Sequence, residues 1–207
     1  IQHITNSGYF AIRMGKIVKN KININNKNFL DYPFSKFKND FMDIFLGYKC
    51  KLCISNVTGY DAVPTIFRRP LLFLGSIPVG FMLTSSSRFI NTFYDHYSYL
   101  LKRNLTLEEI FKYKLDDKFK ASDFKTNRIK LIKFSNKKMR ELFDESITYI
   151  NNDFKVEIKS RKVNNKFKKL YLRNLKKYSY FSSFQNHGKI KSYFPKAWLK
   201  NKIFLLK

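Results

Sequence analysis

Apolar residues fall along the chain in two rhythms, short unbroken runs and stripes at helical spacing. Gly8-Tyr-Phe-Ala-Ile-Arg13 is a strand-like run ended by Met14-Gly15. Residues 19–28 are polar and Asn-rich and predict a loop, and Phe29-Leu-Asp-Tyr32 predicts a second short strand closed before Pro33. Phe37, Phe41, Ile44, Phe45 and Tyr48 then recur at helical spacing, which predicts an amphipathic helix with that face inward. Leu52-Cys-Ile54, bounded by Ser55-Asn56, predicts a buried strand. Thr58-Gly59 precede a second helical stripe of Tyr60, Ala62, Val63, Ile66 and Phe67, which Arg69-Pro70 stops. Leu71-Leu-Phe-Leu74 is the next strand, closed by Gly75.

Helix, strand, helix and strand joined by short connections predict an α/β fold with a doubly wound parallel sheet, its strands buried on both faces. The later chain is more helical. Thr106-Leu-Glu-Glu109 is a capping box opening a helix with Leu107, Ile110 and Phe111 inside. Residues 128–134 alternate as a strand does. Met139, Leu142, Phe143, Ser146, Ile147 and Ile150 share one helical face, as do Phe167, Leu170, Tyr171, Leu175 and Tyr178. The chain divides on this pattern into an α/β domain, residues 1–115, and a helical region, residues 116–207, packing on it. Residues 70–87 carry no charge, but Pro70, Gly75, Pro78 and Gly80 interrupt them, so they read as a buried strand and a loop rather than a membrane span.

Composition excludes a disordered chain: 44% of residues are hydrophobic and 17% aromatic. The net charge is +26 and uneven. Residues 1–100 hold 12 Lys and Arg against 5 acids, and residues 101–207 hold 29 against 10. Between Lys155 and Lys202 there are 15 basic residues and one acid, Glu157. Such a surface attracts nucleic acid, anionic headgroups or phosphorylated substrates. Phe, Tyr, Ile, Lys and Asn all have A/T-rich codons, so base composition contributes to this charge, and charge alone assigns no partner. Two cysteines imply no disulfide framework. No cleavable signal pattern is visible. The chain opens at Ile1 directly in apolar sequence, and the expectation is a fragment lacking an upstream part.

The strongest chemical candidate is the loop after the strand at 52–54. In open α/β sheets ligands sit beyond the carboxyl ends of strands, where helix N-termini offer N–H groups. Ser55, Asn56, Thr58 and Gly59 lie at such a place: the hydroxyls can bond phosphate oxygens, and Gly59 admits a close ligand. Thr58 as a plain N-cap explains the same spacing. Asp61 falls in the first helical turn, where the dipole favours a carboxylate without any function. Arg13 ends the first strand and is expected to point to the same sheet edge, to clamp a diphosphate, unless it is a solvated surface residue. Cys50-Lys-Leu-Cys53 leads into a strand instead of opening a helix, which disfavours a reactive thiolate, and core packing is the expectation. Asp95-His96 could form a base pair for proton transfer, with a structural role as the alternative. The aromatics of the basic tail could stack on single-stranded nucleic acid, but their helical period predicts core.

Three segments carry a family resemblance: Gly8-Tyr-Phe-Ala-Ile-Arg-Met-Gly15; Phe37-Lys-Asn-Asp-Phe-Met-Asp-Ile-Phe-Leu46; and Lys51-Leu-Cys-Ile-Ser-Asn-Val-Thr-Gly59 with Val63-Pro64 and Arg69-Pro70. Together they resemble a family of bacterial glycosyltransferases of surface-carbohydrate gene clusters. Thr106–Phe111 and the ending His187-Gly-Lys-Ile with Trp198-Leu-Lys-Asn201 match more loosely. The arrangement is also similar to GT-B fucosyltransferases, whose Arg contacts the donor diphosphate. The resemblance implies a Rossmann-like donor domain at 1–115, the carboxyl-terminal half of a GT-B fold, without its amino-terminal half. It implies Arg13 as the catalytic electrophile and Ser55, Asn56, Thr58, Gly59 and Asp61 as donor-binding residues. It implies a nucleotide-sugar substrate, a glycan or lipid-linked acceptor, no metal and no cofactor. The expected setting is the cytoplasm, at the inner membrane face through the basic carboxyl half, with nucleic acid disfavoured as a partner. The alternatives are a non-catalytic polyanion-binding protein and an inactive truncated transferase.

Overall fold

The computed structural model describes residues 1–178, 189–200 and 202. His187, Gly188 and Asn201 of the resembling carboxyl-terminal segment lie outside the described residues. In chain order the elements are α1 (Gln2–Asn6), β1 (Ala11–Arg13), β2 (Phe29–Asp31), α2 (Asp40–Lys49), β3 (Cys53–Ser55), α3 (Ala62–Ile66), β4 (Leu71–Phe73), β5 (Phe89–Asn91), β6 (Asp95–Ser98), β7 (Arg103–Asn104), α4 (Leu107–Lys112), α5 (Ala121–Thr126), β8 (Ile129–Ile132), α6 (Asn136–Asn151), α7 (Ile158–Tyr178) and α8 (Lys196–Leu199).

The fold is mixed α/β with parallel sheets and several helices. Hydrogen bonding divides the strands among three sheets. β1 and β2 form a parallel pair, and β3-β4-β5 form a parallel triplet with Cys53, Leu71 and Phe89 in register. A parallel bridge between Ile90 and Tyr193 continues the triplet, with Asn91 N–H donating to Tyr193 O at 2.8 Å. The third sheet, β7-β6-β8, is antiparallel, and nothing in the hydrophobic pattern predicts its first two strands.

β4 and β5 are buried at every position, as their unbroken apolar runs require. β3 is a correction: it is an edge strand, and Ile54 is 39% exposed. α2 is a second correction. Asn39 caps it through a side-chain oxygen that accepts from Met42 N–H at 2.9 Å, so Phe37 lies outside the helix. Phe41, Ile44, Phe45 and Tyr48, expected inside, are exposed. The helix docks instead through Gly47, its one buried residue: a Cβ there would lie 2.6 Å from Val63 Cγ1 of α3. Tyr60 OH fastens the same contact by donating to Asp43 O at 2.8 Å.

The carboxyl-terminal region packs on the first through one continuous core. β8 pairs with β6, and α7 buries Phe167, Tyr171 and Leu175 as its stripe predicts. Trp198 meets Phe93 at 4.8 Å and Phe167 at 5.2 Å between ring centroids, and Phe194 meets Phe167 at 4.6 Å. Polar tips fix the orientation: Trp198 Nε1 donates to Phe93 O at 3.1 Å and Tyr171 OH to Val79 O at 2.8 Å. Fully burying each such side chain contributes on the order of 2–3 kcal/mol. Glu145 of α6 accepts from the N–H groups of Lys196 and Ala197 at 2.6 and 2.7 Å and so caps α8. The Thr106–Glu109 capping box is present, with Thr106 N–H donating to Glu109 at 2.7 Å and Glu109 N–H to Thr106 Oγ1 at 3.2 Å. Arg103 forks onto the same Glu109, and this pair holds the carboxyl down at about 2.

β4 ends at Gly75, whose φ of 72° places a Cβ 2.2 Å from the Tyr94 ring. Gly75→Ala therefore combines left-handed strain with overlap in a buried site. It is expected to lower the free energy of unfolding by about 2–4 kcal/mol in urea denaturation, and a loss below about 1 kcal/mol would show that the chain relaxes there at little cost.

Candidate functional site

The Ser55–Asp61 turn leaves β3 at its carboxyl end. Ser55 Oγ accepts from Val57 N–H at 3.2 Å, which folds the chain back on itself. Val57 sits at φ 65°, a region that a β-branched side chain rarely enters. Thr58 stays extended and opens a single 3-10 turn, Gly59–Asp61, that runs into α3. Asp61 Oδ2 reaches back to accept from Thr58 N–H at 2.8 Å. Its Oδ1 is buried and has no hydrogen-bond partner among the described residues. Thr58 is thus an N-cap, as the plainer reading held, and Asp61 has a structural bond as well as an unused oxygen.

Asn56, Val57, Thr58 and Gly59 are exposed and Ser55 is half-buried. Gly59 does not have the φ that demands glycine, and a Cβ built on it meets nothing within 4 Å. The fold makes no use of a glycine there, and the surface in front of it is open. The N–H groups of Gly59 and Tyr60 begin the turn before any intrahelical acceptor is available. The turn therefore offers two hydroxyls, an amide side chain and leading N–H groups to an oxyanion. α3 has five residues, which limits its dipole to a weak contribution.

Arg13 lies at the end of β1, in the separate two-stranded sheet. Its guanidinium donates to both Asp31 oxygens, at 2.6 and 2.7 Å, and to Asn20 O at 2.9 Å. It lies 5.6 Å from the Phe34 ring centroid. Burial works to raise the Asp31 carboxyl, but the Ile22 N–H and the Arg13 fork overcome it and hold Asp31 below its ordinary range. The structure thus gathers Ser55, Asn56, Thr58, Gly59 and Asp61 in one turn and places Arg13 in an ion pair of its own. The residue that sequence reasoning missed is Asp31, which the parallel register of β1 and β2 sets beside Arg13.

The remaining candidates resolve differently. Burial raises both cysteine thiols, Cys53 to about 12, so neither is poised as a thiolate. Asp95 and His96 are successive residues of β6 and face opposite ways. Asp95 pairs with Lys202. His96 is fully buried, with Nδ1 2.9 Å from Tyr94 O and Nε2 unpartnered among the described residues, and burial pushes it down to about 4. The α7 aromatics Phe167 and Tyr171 are wholly buried and present no ring to a nucleic-acid base. Among the described residues, no group of three His, Cys, Asp or Glu side chains gathers as a metal site, and no helix is long and apolar enough to cross a membrane.

Compared with known proteins, the chain matches no family model, no curated protein and no solved structure.

Val57→Gly removes left-handed strain at an exposed position. The expected gain is about 1 kcal/mol in urea denaturation, reduced by the entropy that glycine adds to the unfolded chain, and a loss would mean that the Val57 side chain makes a contact worth more than the strain. His96 gives a pH signature. Unfolded, the imidazole takes up a proton below about 6.5; folded, it stays neutral down to about 4. Its stability contribution is therefore complete above pH 6.5 and falls, by up to about 3 kcal/mol, as the pH drops toward 4. Urea midpoints measured between about pH 7 and about pH 4.5 should show that decline, and His96→Phe should flatten it. An unchanged slope in the variant would assign the decline to other groups.

Proposed function

We propose that the chain is the donor-binding part of a nucleotide-sugar-dependent glycosyltransferase of GT-B type, acting on a surface-glycan or lipid-linked acceptor. The observation that carries this reading is the turn that follows β3 at the carboxyl end of a parallel strand, exposed from Asn56 to Gly59 and with open space over Gly59. That is where open α/β sheets take phosphorylated ligands.

Arg13 and Ser55 are each the last residue of a strand in a parallel sheet, β1 and β3. In this reading the N–H groups and hydroxyls of the turn hold the donor diphosphate. Arg13 shifts part of its hydrogen bonding from Asp31 to the leaving phosphate as negative charge develops there. No cofactor is assigned, and the cytoplasmic face of the membrane is the proposed setting.

One observation favours a second reading. α7 carries nine Lys and Arg and no acid, so its outer face is a cationic surface suited to a polyanion or anionic headgroups. Under that reading the chain binds without catalysing.

Thermal unfolding with millimolar UDP, GDP or dTDP separates the two. At least one nucleotide is expected to raise the midpoint by several degrees. Gly59→Val should abolish this protection without changing the unliganded midpoint. Arg13→Ala should also abolish it, with a lower starting midpoint because Asp31 loses its partner. If no nucleotide protects, and polyphosphate binds with steep salt dependence, the polyanion reading replaces the transferase.

A further inference from the structure

The opposite edge of the β3-β4-β5 sheet holds a second constellation. Arg69-Pro70 leads into β4 and Arg88 leads into β5, so both arginines stand at the amino ends of strands whose carboxyl ends face the other way. With Arg68, Thr65, Ser86 and Phe89 they line a cavity of about 220 Å³. No carboxylate lies among the lining residues, and among the described residues none of the three arginines has an ion-pair partner.

Two of the guanidiniums are positioned by neighbours. Arg69 Nε donates to Cys50 O at 2.7 Å, which anchors the side chain, and the guanidinium also lies against the Cys50 thiol. Arg88 lies with its guanidinium carbon 4.5 Å from the Phe154 ring centroid. Thr65 Oγ1 is buried and has no partner among the described residues, a donor without an acceptor there. Ser86 Oγ accepts from Arg88 N–H at 3.1 Å and keeps its own proton to give. Three like charges around one small space repel each other, and a bound anion reverses the sign of that interaction. Planar guanidiniums match the paired oxygens of a phosphoryl group. The volume is below the few hundred Å³ that a whole nucleotide needs, so it suits one phosphoryl group with the rest of its molecule outside.

We infer that this cavity is a phosphoryl-binding site, distinct from the Ser55–Asp61 turn and independent of its reading. Two sources carry the same chemistry: a soluble phosphate and the headgroup of an anionic lipid. Exposed Ile66 and Phe67 sit directly before Arg68 in the chain.

The test has two arms, both at constant ionic strength. In one, inorganic phosphate is titrated against the chain with chloride as reference, read by calorimetry. In the other, the chain is sedimented with vesicles of phosphatidylglycerol or of phosphatidylcholine. Binding in either arm is expected, saturable in the phosphate arm or selective for phosphatidylglycerol in the vesicle arm, and the arm that responds names the source. Arg68→Gln with Arg88→Gln should weaken that binding at least tenfold, and Thr65→Val several-fold. Lys162→Gln with Lys166→Gln, which removes the same charge from α7, should leave it within twofold. Circular dichroism checks that each variant is folded. Arg88→Lys, which keeps charge but loses the fork, serves if the double arginine variant does not fold, and should also weaken binding. The inference is overturned if both arms are silent, or if the lysine pair lowers binding as much as the arginine substitutions.

Discussion

The aromatic joint between β5 and the carboxyl-terminal segment is the contact on which the rest depends. Three strands of three residues each cannot shield two faces by themselves, yet β4 and β5 are buried completely. Phe93, just past β5, is closed over by Trp198 and Phe167, and Phe194 packs on both of those rings. The bond from Asn164 Nδ2 to Phe194 O, at 2.5 Å inside the core, aligns α7 with that segment. Tyr193 extends the parallel sheet by one strand position. Packing of this density transmits position, so the register of β4 and β5 fixes where β3 lies, and with it the turn that follows. The candidate turn is therefore held from the far side of the sheet, while its own side is thinly covered.

How much of this was legible in the sequence depends on whether a signal was local. The Thr106–Glu109 box is contained in four residues, and it formed as read. The α7 stripe buries Phe167 and Tyr171 as its period says. Leu71–Phe73 is buried and Gly75 ends it. The stripe on α2 misled for a physical reason: a stripe shows which face is apolar but not which face finds a partner. Gly47 let α3 approach the opposite side, and Phe41 and Phe45 stack on each other at the surface instead. β6 pairs with β8 more than thirty residues on, and β5 meets Tyr193 about a hundred residues on, and no local period encodes either. At the candidate site, the turn chemistry of Ser55, Thr58 and Asp61 was readable from spacing. The Arg13–Asp31 pair was not, because a strand end gives a direction and not a neighbour.

Charge is distributed between two kinds of surface. α7 spreads its lysines over a solvated face, where each cation is screened and of small individual effect. Arg68, Arg69 and Arg88 instead converge on one cavity, and Arg13 is held by a nearly buried carboxylate. A net charge of +26 describes the first surface and conceals the second. The specific chemistry lies with the few arginines that the fold positions, and arginine supplies only a small part of the total positive charge.

The Tyr193 bridge also sets an order of events at the ribosome. Synthesis delivers β3, β4 and β5 early, but the side chains that seal them, Phe167, Phe194 and Trp198, emerge more than seventy residues later. Throughout that interval the nascent chain exposes the edge of β5 and an unsealed apolar face, the state in which strands pair wrongly or are taken up by chaperones. The segment that completes the fold thus also determines how long the chain is exposed before it can fold at all.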